Sequence, residues 1–136
     1  MKIYDCFTFY NEYELLLWRL KILWDYVDVF VIAEGNRTFQ NKPKPFNFLA
    51  HRELFADYEE KIRYLPIREE MPYDSEWSIE IYQRNAIKRA LAGCQNDDVI
   101  LLSDVDEFVA PHLLVELKEG GGEIRIFTTF GRVDER

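Results

Sequence analysis

Three features of the sequence predict an α/β fold, a mostly parallel sheet covered by helices. Four apolar runs rich in β-branched and aromatic residues are separated by stretches whose apolar residues recur at helical spacing. The longest runs are almost continuously apolar rather than alternating, which suits strands buried on both faces of a parallel sheet. Strand and helix signals also alternate along the chain, the order in which crossover helices join parallel strands.

The first run, Lys2 to Phe9, carries Ile3, Tyr4, Cys6, Phe7 and Phe9 and reads as a strand. From Glu12 to Tyr26, Leu15, Leu16, Leu20, Leu23 and Trp24 fall on one helical face, with Asn11 in the N-cap position. Val27 to Ala33, interrupted by Asp28, reads as a second strand, so Glu34-Gly35-Asn36-Arg37 follows at its carboxyl end, where ligands bind in open α/β sheets. Lys42-Pro43-Lys44-Pro45 is extended or turning, because the residue before a proline is pushed out of helical geometry. A short helix is expected over His51 to Tyr58 and a third strand over Ile62 to Pro66, ended by its proline. A long helix from Ser75 or Ser78 to Ala92 stops at Gly93. Val99 to Ser103 is the fourth strand, and Pro111 opens a helix through Lys118. After it, Gly120-Gly121-Gly122 breaks the pattern, and Ile124 to Phe130 has the character of one further strand.

The 136 residues suffice for one core. Acidic residues outnumber basic ones 25 to 17, a net charge of −8 that opposes binding to nucleic acid. Cys6 and Cys94 stand in apolar surroundings without metal-ligand spacing and are expected to be reduced thiols. No stretch reaches the ~18 apolar residues of a membrane span, and the chain opens directly on a strand, so a cytoplasmic setting is expected.

Asp104-Val105-Asp106-Glu107 directly follows the fourth strand. Alternate residues of an extended segment point the same way, so Asp104 and Asp106 present two hard oxygen ligands together. Such a pair, with positions left open for phosphate oxygens and water, is what Mn²⁺ or Mg²⁺ on a nucleoside diphosphate requires. A divalent ion also reconciles an acidic chain with an anionic substrate. Arg84 lies 20 residues upstream of Asp104, within reach of the same sheet edge, and suits phosphate contact. The structural alternatives are a solvated acidic turn at the strand end and, for Arg84, a surface pair with Glu80 one turn earlier.

Four segments occur in order: Asp5-Cys6-Phe7-Thr8-Phe9-Tyr10-Asn11-Glu12; Phe30 to Phe39 with Lys42-Pro43-Lys44-Pro45; Gln83-Arg84-Asn85-Ala86-Ile87; and Ser103-Asp104-Val105-Asp106-Glu107. Together they resemble glycosyltransferase family 17. The resemblance implies a GT-A-type, Rossmann-like fold and transfer of N-acetylglucosamine from UDP-N-acetylglucosamine, with inversion, to a mannose-containing glycan acceptor. It makes Asp104 and Asp106 the metal and diphosphate ligands, with Mn²⁺ or Mg²⁺ as cofactor. Phe7, Phe9 and Asn11 would border the uridine. Glu34, Asn36 and Arg37 would line the nucleotide pocket, and Arg84 and Asn85 would approach the donor from their helix. Glu107 would orient the ligands. Phe39 and the prolines after it read as core packing and loop stiffening.

The resemblance covers residues 3 to about 118. Family members continue into an acceptor-binding half, so the expectation is a truncated donor half: residues 1–118 as a partial nucleotide-sugar-binding domain, 119–136 as a glycine-rich hinge and tail. The catalytic base is then expected to be missing, and uncovered sheet surface to promote self-association. Two other readings compete. A haloacid-dehalogenase-type phosphotransferase also places Asp-x-Asp after an apolar strand, with the first Asp as nucleophile, although near the start of its domain. A fragment that binds nucleotide without catalysis is the non-enzyme alternative.

Overall fold

The computed structural model describes residues 1–73, 76–107, 110–119, 125–127 and 133–134. Strands β1 (Ile3–Thr8), β2 (Val29–Gly35), β3 (Ile62–Ile67), β4 (Val99–Asp104), β5 (Arg125–Phe127) and β6 (Val133–Asp134) form one sheet in the order β3-β2-β1-β4-β5-β6. The first five are mutually parallel and β6 runs antiparallel to β5. Helices α1 (Tyr13–Leu23), α2 (Asn47–Ala50), α3 (Glu76–Ala86) and α4 (Pro111–Glu119) join them, with 3-10 segments at Arg52–Lys61 and Ile87–Leu91.

The near-continuous apolar runs are explained by burial on both faces. Ile3, Phe7, Phe30, Ile32, Val99 and Leu101 pack with Leu16, Leu20 and Leu23 of α1, with Phe48 and Phe55, and with Leu114 of α4. Tyr4, Cys6, Val31, Ala33 and Ile100 face the other way, onto Ile87 and Ala90. Each fully buried Leu or Phe contributes about 1.5–3 kcal/mol. Among the described residues no helix is long and apolar enough to cross a membrane.

Several boundaries differ from expectation for identifiable reasons. Asn11 does not cap α1; the Glu12 carboxylate folds back to accept from the Tyr10 and Asn11 amides at 3.0 and 2.8 Å. Asp28 lies before β2, where its carboxylate accepts from the Ile3 amide at 2.8 Å, and the strand runs on to include Glu34 and Gly35. The helical segment expected from His51 begins at Asn47, because the buried Glu34 carboxylate accepts from the Asn47 and Phe48 amides at 2.7 and 3.0 Å. It continues from Arg52 as 3-10 rather than α-helix. Pro66 does not end β3, which lies at the edge of the sheet and tolerates a residue without an amide proton. The long helix changes to 3-10 geometry at Ile87. Within the stretch 124–130 the described part, β5, pairs with β4; Gly120 to Gly122 lie outside the described residues.

Candidate active site

The parallel register sets Thr8 of β1 beside Ala33 of β2 on one side and Asp104 of β4 on the other, so three strand ends open at one level. They floor a cleft of about 620 Å³ lined by residues 8–10, by the loop after β2, by Glu80 and Gln83 of α3, and by Asp104, Val105 and Asp106.

The wall formed by the end of β4 is acidic. Carboxylate oxygens of Asp104, Asp106 and Glu107 all lie within 4.8 Å of one another. Val105 between them is buried in the core, while Asp106 is exposed, so the turn anchors its apolar residue and offers its charged one. The Glu107 amide donates to the Asp104 carbonyl at 3.0 Å, closing that turn. Burial first, then the adjacent Asp104 and Asp106, push the Glu107 carboxyl above its ordinary pKa. Carboxylates crowded in this way favour a shared cation. Arg84 donates to Asp104 Oδ1 at 2.9 Å, and Glu80 lies 3.9 Å from the same guanidinium nitrogen. Arg84 therefore reaches the sheet edge at Asp104 while staying near Glu80 one turn earlier.

The opposite wall is a basic hairpin. The Thr38 amide donates to the Lys42 carbonyl at 2.9 Å, an Arg37–Pro43 bridge closes the ladder, and Asn41 takes the left-handed turn position at φ 62°. Arg37 and Lys42 line the cleft. Lys44 lines it too, but its ammonium binds Glu34 Oε2 at 2.8 Å and the Gly35 and Pro45 carbonyls at 2.7 and 2.9 Å, which ties the hairpin to the sheet.

Some residues expected at the site stand elsewhere. Phe7 is fully buried beneath the Arg19 guanidinium, 4.3 Å from its ring centroid, and does not border the cleft. Phe9 lines the cleft while packing edge-on against Tyr13 and Phe48. Glu34 has no solvent exposure: Lys44, the two α2 amides and the Tyr64 hydroxyl at 2.9 Å occupy its carboxylate, so it braces the pocket from behind rather than lining it. Asn36 lines an adjoining depression with Arg37 and Arg68. Asn11 and Asn85 are exposed and lie outside the cleft lining.

Other residues were not singled out by sequence reasoning. Phe39, read as packing, is 40% exposed and lines the cleft beside Tyr10. Gln83 is 4% exposed and lines it as well, and a Cβ on Gly35 would come within 2.5 Å of its amide nitrogen. A side chain at Gly35 would therefore displace the ends of Gln83 and Met71. A polar residue in phase with Ile79 and Ala86 on a helix was the available signal for Gln83.

The sequence profile of glycosyltransferase family 17 matches residues 1–126. A curated relative, the β-1,4-mannosyl-glycoprotein 4-β-N-acetylglucosaminyltransferase of Rattus norvegicus, is 26% identical over 125 residues, which are 86% of this chain and 23% of the relative. The chain therefore spans about a quarter of the length of that relative. No solved structure matches the chain. With its profile matched from β1 into β5, across all four segments that build the cleft, the chain belongs to glycosyltransferase family 17.

Proposed function

We propose that this chain forms the donor side of an N-acetylglucosaminyltransferase, binding UDP-N-acetylglucosamine with Mn²⁺ or Mg²⁺ in the cleft between the acidic turn and the basic hairpin. The carrying observation is the convergence of the Asp104, Asp106 and Glu107 carboxylates within 4.8 Å, the first two lining that cleft. Three hard oxygen donors with an exposed side fit a divalent ion that keeps positions for water and phosphate. When bound, such an ion stabilises negative charge on the departing diphosphate.

The chain's own residues supply the rest. Arg37 and Lys42 approach from the facing wall, where they favour the diphosphate oxygens not engaged by the carboxylate side. Arg84, already at Asp104, orients that carboxylate. Phe9, Tyr10 and Phe39 give the cleft apolar and aromatic surface suited to a base or sugar face. The α/β architecture is compatible with a GT-A-type donor domain. Inversion at the anomeric carbon and a mannose-containing glycan acceptor complete the reading, by the family and the name of the rat relative.

Titration calorimetry with UDP-N-acetylglucosamine tests it directly. Binding is expected with Mn²⁺ or Mg²⁺ and is expected to disappear when a chelator removes the ion. Equal affinity in both conditions would rule out the metal-bridged site.

A further inference from the structure

Arg19 is the largest fully buried side chain of the described residues, on the face of α1 that carries Leu16, Leu20 and Leu23. Burying a charged pair costs several kcal/mol per ion before its partners are counted. A leucine at this position would pack more cheaply, so the partners must explain the arginine.

Nε and Nη2 grip both oxygens of the buried Asp5 at 2.8 and 2.6 Å. Nη1 donates to the carbonyls of Asp104, Val105 and Glu107 at 2.9, 3.1 and 2.7 Å, and Nη2 also reaches Ser103 Oγ at 2.5 Å. All five N–H groups of the guanidinium are therefore occupied. The two on Nη1 are shared among three carbonyls of one acidic turn, where the chain leaves β4 and its carbonyls need donors. Held from behind by its carbonyls and by buried Val105, the turn presents Asp104 and Asp106 to the cleft. Because Asp5 balances the guanidinium, the strut adds no net positive charge to oppose a cation at that turn.

We propose that Arg19, fixed by Asp5 on the central strand, is a positioning residue that presets the 104–107 turn for a divalent cation without touching the cation itself. The inference rests on the donor-site reading above. Lysine cannot substitute, since an ammonium has three donors and no planar fork to span Asp5 and the turn.

The test is Mn²⁺ binding to the purified chain, followed by electron paramagnetic resonance of the free ion, alongside circular dichroism and thermal melting. Arg19→Lys is expected to fold and to bind Mn²⁺ more weakly by about tenfold or more, the usual effect of removing a residue that orients metal ligands. Leu20→Ala is the control, destabilising the same helix while leaving the Mn²⁺ affinity of the folded chain unchanged. Should Arg19→Lys fail to fold, Ser103→Ala carries the test: it removes one contact of the strut, and weaker Mn²⁺ binding is expected. Wild-type affinity in a folded Arg19→Lys, or in Ser103→Ala if that is the variant available, overturns the assignment, as does an equal loss in Leu20→Ala. Absence of Mn²⁺ binding to the unaltered chain would instead bring down the donor-site reading.

Discussion

The guanidinium of Arg84 lies 2.9 Å from the carboxylate of Asp104, joining α3 to the end of β4. Both side chains are more than a third exposed, so the pair adds at most about 1 kcal/mol to stability. In the metal-bridged reading, Arg84 competes with a cation for one oxygen yet adds positive charge for a diphosphate. Arg84→Gln is therefore expected to leave Mn²⁺ affinity unchanged or slightly higher in the absence of nucleotide. The same variant should weaken UDP-N-acetylglucosamine binding by about 1.5–3 kcal/mol, the size of a hydrogen bond to a charged group. Calorimetric titrations of each ligand separate the two effects, and a parallel loss of both would indicate that Arg84 only maintains the fold.

Asp106 is exposed at the tip of its turn. Asp106→Ala should stay within about 0.5 kcal/mol of wild-type stability, as surface substitutions do, while abolishing metal-dependent donor binding. Thermal melting and calorimetry on the same preparation check this. An unfolded variant would show that Asp106 has a structural role.

The sheet was legible because burial on both faces writes continuous apolar runs, and Asp104 with Asp106 was legible because the end of β4 is fixed by its run. Arg84 was reachable because one helix-to-strand connection returns it to that same edge. Arg19 and Glu34 were harder to read, because the turn that Arg19 holds is 84 to 88 residues away and the partners of Glu34 are up to 30 residues away in sequence. The signal for Arg19 was a charge in phase with Leu16, Leu20 and Leu23, together with Asp5 inside an apolar strand. Nothing local reveals that Glu34 faces inward, since that depends on Lys44 folding back from the hairpin and on Tyr64 arriving from β3.

Glu34→Gln should be strongly destabilising. It leaves the Lys44 ammonium without its counter-charge and turns an amide donor toward either the Lys44 and Asn47 donors or the Phe48 and Tyr64 donors. Breaking a buried pair in this way costs about 3–5 kcal/mol. Denaturant unfolding measures the loss, and a change below about 1 kcal/mol would mean that water replaces the carboxylate cheaply.

Stability should fall on the alkaline side. Burial raises the Cys6 thiol well above its ordinary pKa, raises Cys94, and raises the Tyr4, Tyr13 and Tyr64 phenols, with Glu34 adding to the effect on Tyr64. Each group holds its proton more tightly folded than unfolded. Its contribution is therefore complete below the unfolded pKa and is lost as pH rises toward the folded value. Loss should begin near pH ~8.5 with the thiols and steepen near pH ~10 with the phenols. Cys6→Ser or Cys6→Ala should flatten the first part of that decline in melting curves recorded across this range.

Gln83 offers the sharpest separation of binding from folding. Its side chain lines the cleft at 4% exposure near Met71 and Gly35, and among the described residues no buried side-chain nitrogen or oxygen is left without a partner. Gln83→Leu roughly conserves side-chain volume and should lose less than about 1.5 kcal/mol of stability. If the amide serves to pair with a polar edge of the donor, the same variant should bind UDP-N-acetylglucosamine more weakly by about 0.5–1.5 kcal/mol, the net worth of one neutral hydrogen bond, with Mn²⁺ affinity unaltered. Calorimetry on the variant decides between the possibilities. Donor affinity unchanged from wild type would make Gln83 a packing residue and overturn its pairing with the donor.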